Sequence, residues 1–180
     1  LKRKGLDGKL ENERQDYWQE KWKNTSDYKN RVVIGRAIRG DTIVLADVVR
    51  ALEETAQAGT SSSAISLGRA YSNNGSKPDY LNDLPYDWSK AIYWYGVAAR
   101  FGDSIGMEAL CVAHANGETT RGIQPNLEEA AKWCVVAAQA ECNTAGPVEL
   151  IRLFECGLGG LPRDLEMAAY WRRVAHERRW

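Results

Sequence analysis

The sequence predicts an all-α fold built from repeated helix pairs. Three segments share one pattern, in which an Asp or Asn is followed by Ala, Trp and Ala at fixed offsets. Their tryptophans are Trp94, Trp133 and Trp171, so the pattern recurs every 38 or 39 residues. Stretches with helical periodicity lie between these segments. A two-helix unit that repeats at about 40 residues is typical of an α-solenoid.

The patterned segments are predicted to be the second helices of the pairs. Asp87, Asn126 and Asp164 are suitable N-cap residues, because a side-chain oxygen there can accept a hydrogen bond from a free amide of the first turn. Ala, Trp and Ala at positions i, i+3 and i+7 fall on one helix face. The small residues let a neighbouring helix approach closely, and the Trp fills the space beside them.

The first helices of the pairs are predicted at residues 63–72, 105–115 and 144–155. Each stretch ends near a glycine, which readily adopts the left-handed backbone found at many helix C-termini. These glycines are Gly75, Gly117 and Gly157.

A further helix is predicted upstream of the clear repeats, from Asp41 as its cap to about Ala58. It matches the repeat pattern as a half-unit that begins at Asp47, with Glu54 in place of the Trp. The short run 31–35 is too brief to assign to a strand or a helix.

Residues 1–29 carry eight basic and six acidic side chains. Tyr17, Trp18 and Trp22 could form one amphipathic turn that docks on the solenoid, and a solvated segment is the open alternative. We therefore expect residues 1–40 to be a partly helical lead-in and residues 41–180 to be the repeat domain.

Composition excludes several classes of protein. The 24 basic and 24 acidic residues balance, which disfavours a generally basic nucleic-acid binder. No apolar run approaches the ~18–20 residues of a membrane span, so we expect no stable membrane insertion. The hydrophobic content of 44% argues against disorder. Residues 1–29 and 163–180 each carry a net charge of +2, so residues 30–162 carry −4 in this neutral chain.

The repeated residues resemble the Sel1-like repeat family, which is related to the tetratricopeptide repeats. The first copy carries the family's Ala64, Leu67-Gly68, Tyr71 and Trp94-Tyr95, whereas the second has Cys111 where glycine is expected. The resemblance implies a right-handed α-solenoid whose concave face and loops bind another protein, without a cofactor, a metal ion or catalytic residues.

The four cysteines could form two disulfides or remain as buried thiols, and their number does not decide between these states. Cys142 and Cys156 would lie ~20 Å apart on one continuous helix, which disfavours that pair. The family resemblance suggests another pair, because cysteine-rich members bridge a Cys-x7-Cys spacing and Cys134 and Cys142 have that separation.

Partner-binding residues are predicted in a long loop between the helices of the first pair, residues 73–87. Aromatic residues alternate there with acids, and stiff turns with aromatics make good interface anchors. An ordinary surface insertion is the open alternative. The loop candidates, with the residue that follows the loop, are Asp79, Tyr80, Asp83, Tyr86 and Trp88.

A second set of candidates lies on the first helices: Arg69, Glu108 and His114. His114 can be interpreted as a packed core histidine or as a functional one.

The resemblance implies a bacterial immunity protein that binds a cognate toxin with a basic surface, such as a type VI secretion phospholipase effector, and blocks it sterically. A scaffold or signalling adaptor is the alternative. A β-lactamase-like hydrolase is a third, prompted by Ser26-x-x-Lys29, although the chain lacks the Lys-Thr-Gly partner motif. Because the sequence starts at Leu1, a removed targeting segment fits a periplasmic location, with the cytoplasm as the alternative.

Overall fold

The computed structural model describes residues 26–72, 77–140 and 145–178. The predicted amphipathic turn at residues 17–22 lies outside this range. The described residues form eight α-helices: α1 (Ser26–Ile38), α2 (Leu45–Gln57), α3 (Ser61–Ser72), α4 (Trp88–Arg100), α5 (Ser104–Asn116), α6 (Leu127–Gln139), α7 (Ala145–Cys156) and α8 (Leu165–Glu177). Each helix packs against the next along the chain. The predicted all-α architecture of successive helix pairs is therefore confirmed.

The second helices begin where the N-cap residues predict. A side-chain oxygen of Asp87, Asn126 and Asp164 accepts a hydrogen bond from the amide three residues later, at 3.0, 3.1 and 2.9 Å respectively. At the ends of α5 and α7, Gly117 and Gly157 have φ values of 61° and 65°, a positive range that favours glycine.

One backbone hydrogen bond recurs in all three helix pairs and identifies which of their residues are equivalent. The amide of each N-cap residue donates to the carbonyl of Tyr71, His114 or Phe154, at 3.0, 2.9 and 2.9 Å respectively. His114 therefore holds the position that Tyr71 and Phe154 hold in the other two units. The segment between the paired helices is longest in the first unit, residues 73–87, against 117–126 and 157–164.

The N-terminal assignments need correction. The run 31–35 is helical and belongs to α1. The next helix begins at Leu45 with Val44 as its N-cap, and the Asp41 carboxylate accepts a hydrogen bond from Arg36 Nε at 3.2 Å and does not cap the helix. When this helix is aligned with α4 from their first residues, Ala51, and not Glu54, lies at the position of Trp94.

The hydrophobic core is divided within α5. One cluster of buried residues runs from Ala37 to Leu110, and the other runs from Cys111 to Ala168. Met107 and Trp133 are half-buried and pack against both clusters. These two side chains therefore connect the two parts of the core.

Successive helix pairs pack so closely that the backbone of one helix touches that of the next pair. A Cβ added to Gly106 on α5 would lie 2.8 Å from the backbone nitrogen of Ala99 on α4. A Cβ added to Gly146 on α7 would lie 2.7 Å from the backbone nitrogen of Ala138 on α6. Neighbouring units thus meet through glycine on one helix and an Ala-Ala pair on the other.

Candidate functional site

The long loop is folded against the first pair of helices. Its described part, residues 77–87, contains a 3₁₀ turn at Asp79–Leu81. Leu81 and Leu84 are buried and anchor the loop to the core. Lys77 Nζ donates hydrogen bonds to the carbonyls of Asn82 and Leu84, at 2.8 and 2.9 Å. The sole cation of the loop is thus bound to backbone oxygens and makes no ion pair with the exposed acids Asp79 and Asp83.

Three of the predicted loop residues line one cavity. It has a volume of about 480 Å³ and lies between the loop, the end of α1, the α1–α2 connection and the start of α2. We call it the acidic cavity. Asp79, Tyr80 and Asp83 form its loop side, and Ile38 and Ile43 contribute apolar surface opposite. Ile38 is 63% exposed, so apolar surface is open to a partner there.

Negative side chains outnumber positive ones in the lining of the acidic cavity. Asp79 and Asp83 are exposed, and neither makes an ion pair with another described residue. Arg39 on the rim lies 3.9 Å from Asp41, which also pairs with Arg36. Three carboxylates therefore line the cavity together with one guanidinium, an arrangement that favours a cationic ligand group.

Tyr86 lies apart from the acidic cavity. The guanidinium carbon of Arg121, in the loop of the second unit, stands 3.9 Å from the centre of its ring. Burial raises the pKa of the Tyr86 phenol, and nearby Glu118 adds to the rise. Its hydroxyl oxygen is buried without a hydrogen-bond partner among the described residues. One face of this predicted anchor is therefore used for a contact within the chain.

Trp88 also lies outside the acidic cavity. It lines a groove of about 200 Å³ between the start of α4 and the end of α5, beside Tyr95 and Asn116. The predicted loop candidates thus divide among three places: the acidic cavity, the Arg121 contact and this groove.

The first-helix candidates are half-buried, and none of them lines the acidic cavity. Arg69 lies on α3, and Glu108 and His114 lie on α5. Burial raises the pKa of the Glu108 carboxyl. Burial lowers the pKa of the His114 imidazole, and Glu129 opposes that effect. His114 therefore resembles its counterparts Tyr71 and Phe154 in position, with a titratable group added.

We expect His114→Phe to remove an acid sensitivity of the fold. A histidine whose pKa is lower in the folded state than in the unfolded state binds fewer protons when folded. Its contribution to stability is complete above its ordinary pKa of about 6.5 and declines as the pH falls below that value. Urea melts between pH 7 and pH 5 should therefore show wild type losing stability relative to the variant, and parallel curves would contradict this expectation.

A disulfide joins Cys111 on α5 to Cys134 on α6, with their Cα atoms 4.7 Å apart. Cys134 therefore pairs with Cys111 and not with Cys142, so the suggested Cys-x7-Cys bridge is wrong. Cys156 is an exposed free thiol.

The repeat alignment carried a signal for this pairing. Cys111 aligns with Gly68 of the first unit, and Cys134 aligns with Tyr95. Those two counterparts touch, since a Cβ on Gly68 would lie 2.6 Å from the Tyr95 ring. Two cysteines at contacting repeat positions would therefore meet, and comparing the units position by position would have predicted the bond.

The described residues contain no group of three or more His, Cys, Asp or Glu side chains placed to hold a metal ion. No helix among them has the length and apolar content needed to cross a lipid bilayer.

The fold is similar to that of two solved structures. A Sel1 repeat protein from Oxalobacter formigenes matches 85% of this chain with a TM-score of 0.63 and 20% sequence identity. A protective antigen present in uropathogenic Escherichia coli strains, which displays an SLR (Sel1-like repeat) fold, matches 91% with a TM-score of 0.63 and 23% identity. The matched regions span only 40% and 32% of those chains. No protein-family model and no curated protein matches the sequence. The chain therefore has the Sel1-like repeat fold.

Proposed function

We propose that this chain is a protein-binding module and that the acidic cavity is its main contact with a partner that has a basic surface. The unpaired carboxylates of Asp79 and Asp83 beside exposed apolar surface carry the proposal. A Lys or Arg side chain entering the cavity would meet these carboxylates at its charged end, while Tyr80 and Ile38 would cover its aliphatic stem. Solenoid repeats commonly use such extended surfaces to bind other proteins.

The finer proposal is a bacterial immunity protein that covers the active-site cleft of a cognate secreted toxin, such as a type VI lipase or phospholipase effector. Enzymes that act on anionic membranes need basic surfaces, and the net charge of −4 on residues 30–162 complements such a surface. The Cys111–Cys134 disulfide favours an oxidising compartment, which for this role is the periplasm.

Two alternatives predict different observations. A general scaffold or signalling adaptor would bind a partner without toxic activity, so the identity of the protein captured from the native host separates it from the immunity protein. A β-lactamase-like hydrolase would use Ser26, the first residue of α1. We expect the purified protein to leave nitrocefin intact, and hydrolysis abolished by Ser26→Ala would support the enzyme instead.

The central test is the kinetics of partner binding after charge reversal in the acidic cavity. Once a pull-down has identified the partner, we expect Asp79→Lys and Asp83→Lys each to slow association, together by about tenfold at low salt, because steering by charge acts mainly on the association rate. Added salt should reduce the difference from wild type. Stability should change by less than about 0.5 kcal/mol, since both side chains are exposed.

The matched control is Glu128→Lys, which makes the same change of net charge at an exposed position on α6. We expect it to leave association close to the wild-type rate. Equal effects of all three reversals would mean that only net charge matters. Wild-type kinetics throughout would exclude the acidic cavity from the interface.

A further inference from the structure

The N-terminal segment carries a run of cations that the proposed function does not use. Residues 2–4 read Lys-Arg-Lys, and no other three adjacent residues of the sequence are all basic. We call them the cationic run. Residues 1–6 contain these three cations and no acid, with Leu1 and Leu6 on either side of the run. Residues 1–25 lie outside the described residues, and charge and chain length limit where the run can bind.

The acidic cavity offers unpaired negative charge. Asp41 in its lining pairs with Arg36 and Arg39, so that carboxylate contributes little to a ligand. Asp79 and Asp83 are exposed and make no ion pair with any described residue. Two carboxylates are therefore open to cationic groups.

Uncovered apolar surface lies beside these carboxylates. Ile38 at the end of α1 lines the cavity, and Val44, the N-cap of α2, directly follows the lining residues 37–43. These are the two most exposed large apolar side chains among the described residues, at 63% and 65%. A segment that carries both cations and apolar side chains would neutralise the carboxylates and remove this surface from water.

The chain is long enough for the cationic run to reach the cavity. α1 begins at Ser26, directly after the N-terminal segment, and its end at Ile38 forms one side of the cavity. The two ends of α1 are about 18 Å apart at a rise of 1.5 Å per residue. The roughly 22 residues from Lys4 to Ser26 can span up to about 70 Å. Attachment to the same chain also raises the effective concentration of the run at the cavity above that of a separate partner.

We propose that the cationic run binds the acidic cavity of its own molecule and is displaced when a partner enters. Its Lys and Arg groups lie on Asp79 and Asp83, and a flanking leucine covers Ile38 and Val44. The free protein is then autoinhibited, and only a partner whose basic surface binds more strongly than the run gains access. The inference rests on the proposed function, because it assigns the regulation of the same cavity.

A peptide added in trans measures whether the cavity is occupied. The probe is residues 1–10 of this chain as a fluorescently labelled synthetic peptide, and fluorescence anisotropy at low salt measures its binding to the full chain. We expect the variant K2Q/R3Q/K4Q to bind the probe saturably, because its own run has lost its charge. Wild type should bind at least tenfold more weakly, since its run competes for the cavity. Equal binding by the two proteins, or no binding by the variant, would overturn the proposal.

Two control variants separate the cavity from net charge. K9Q/K21Q/K23Q removes three cations from the same segment and should keep the weak binding of wild type. Added to K2Q/R3Q/K4Q, the changes D79N/D83N should weaken probe binding at least tenfold, whereas E128Q/E166Q, at exposed positions on α6 and α8, should leave it unchanged. Equal effects within either comparison would show unspecific charge attraction and contradict the proposal.

Carbodiimide cross-linking tests whether the contact lies within one molecule. The reagent joins a lysine amine to a carboxylate when the two groups are in contact. We expect mass spectrometry of wild type to identify links from Lys2 or Lys4 to Asp79 or Asp83, and mixtures of ¹⁵N-labelled and unlabelled chains to give no mixed-isotope link. Mixed links would assign the cavity to the segment of a second copy, and links from other lysines alone would exclude the cationic run. Either result refutes the proposal.

Kinetics with the partner separate this inference from the proposed function. If both hold, K2Q/R3Q/K4Q associates with the partner at least threefold faster than wild type. If the probe behaves as expected while charge reversal at Asp79 and Asp83 leaves partner association unchanged, only the proposed function fails. If charge reversal slows association while the probe binds wild type and K2Q/R3Q/K4Q equally, only this inference fails. Binding to phosphatidylglycerol vesicles that K2Q/R3Q/K4Q abolishes, without the expected probe binding, would assign the run to a membrane surface and also overturn the inference.

Discussion

Replacement of Trp133 by alanine should lower the free energy of unfolding by about 3 kcal/mol. Truncation of a core aromatic costs roughly 3–5 kcal/mol, and the lower end applies because the Trp133 side chain is only half-buried. The residue packs against both core clusters, so its loss removes contacts on each side of the division in α5. Urea melts followed by circular dichroism give the change directly.

The matched control is Tyr93→Ala on α4, where the aromatic side chain is 51% exposed. We expect this variant to lose less than about 1 kcal/mol, since exposed substitutions away from special features have small effects. A loss below about 1 kcal/mol for Trp133→Ala would mean that the two clusters are held together by other contacts.

Loss of the Cys111–Cys134 disulfide should lower the free energy of unfolding about as much as Trp133→Ala does. The bond closes a loop with a sequence separation of 23 residues, and chain entropy assigns about 3 kcal/mol to a loop of that size. Urea melts of wild type with and without a reducing agent should differ by this amount. Identical melts, together with reactive thiols at both cysteines, would contradict the pairing.

A double variant isolates the packing contribution at this position. C111G/C134F reproduces the Gly68–Tyr95 contact of the first unit without the hydroxyl. Phe is preferred because Tyr95 Oη lies 3.1 Å from its hydrogen-bond partner Ser72 Oγ, whose counterpart in the second unit is Ala115. We expect this variant to be about 1 kcal/mol more stable than C111S/C134S, because an aromatic ring fills the site better than two hydroxyls. Equal stability of the two variants would mean that a glycine–aromatic contact like Gly68–Tyr95 does not form in the second unit.

Local sequence determined most of the repeat architecture. Asp87, Asn126 and Asp164 predicted where the second helices begin, because a cap hydrogen bond involves only residues within one turn. Gly117 and Gly157 marked the ends of first helices for an equally local reason, a positive φ that glycine adopts readily. The helix pairs and the longer first loop followed from the spacing of these signals.

The same local reasoning failed at the N-terminal helix. Asp41 is as good a cap residue as Asp87, yet it pairs with Arg36 and the helix starts at Leu45. The carboxylate has its partner on the preceding helix, and the residues that follow Asp41 did not indicate that choice.

Only the tertiary structure decided which candidate residues lie together. Asp79, Tyr80 and Asp83 share the acidic cavity because the end of α1 and the α1–α2 connection supply its opposite side, from about 40 residues away in the chain. Tyr86, close to them in sequence, contacts Arg121 of the next unit instead. Such proximities depend on how the helix pairs stack, and stacking is set by contacts between units such as that of Gly106 with Ala99. The sequence by itself therefore determined the repeated unit, whereas packing between units determined the surface that the protein offers to a partner.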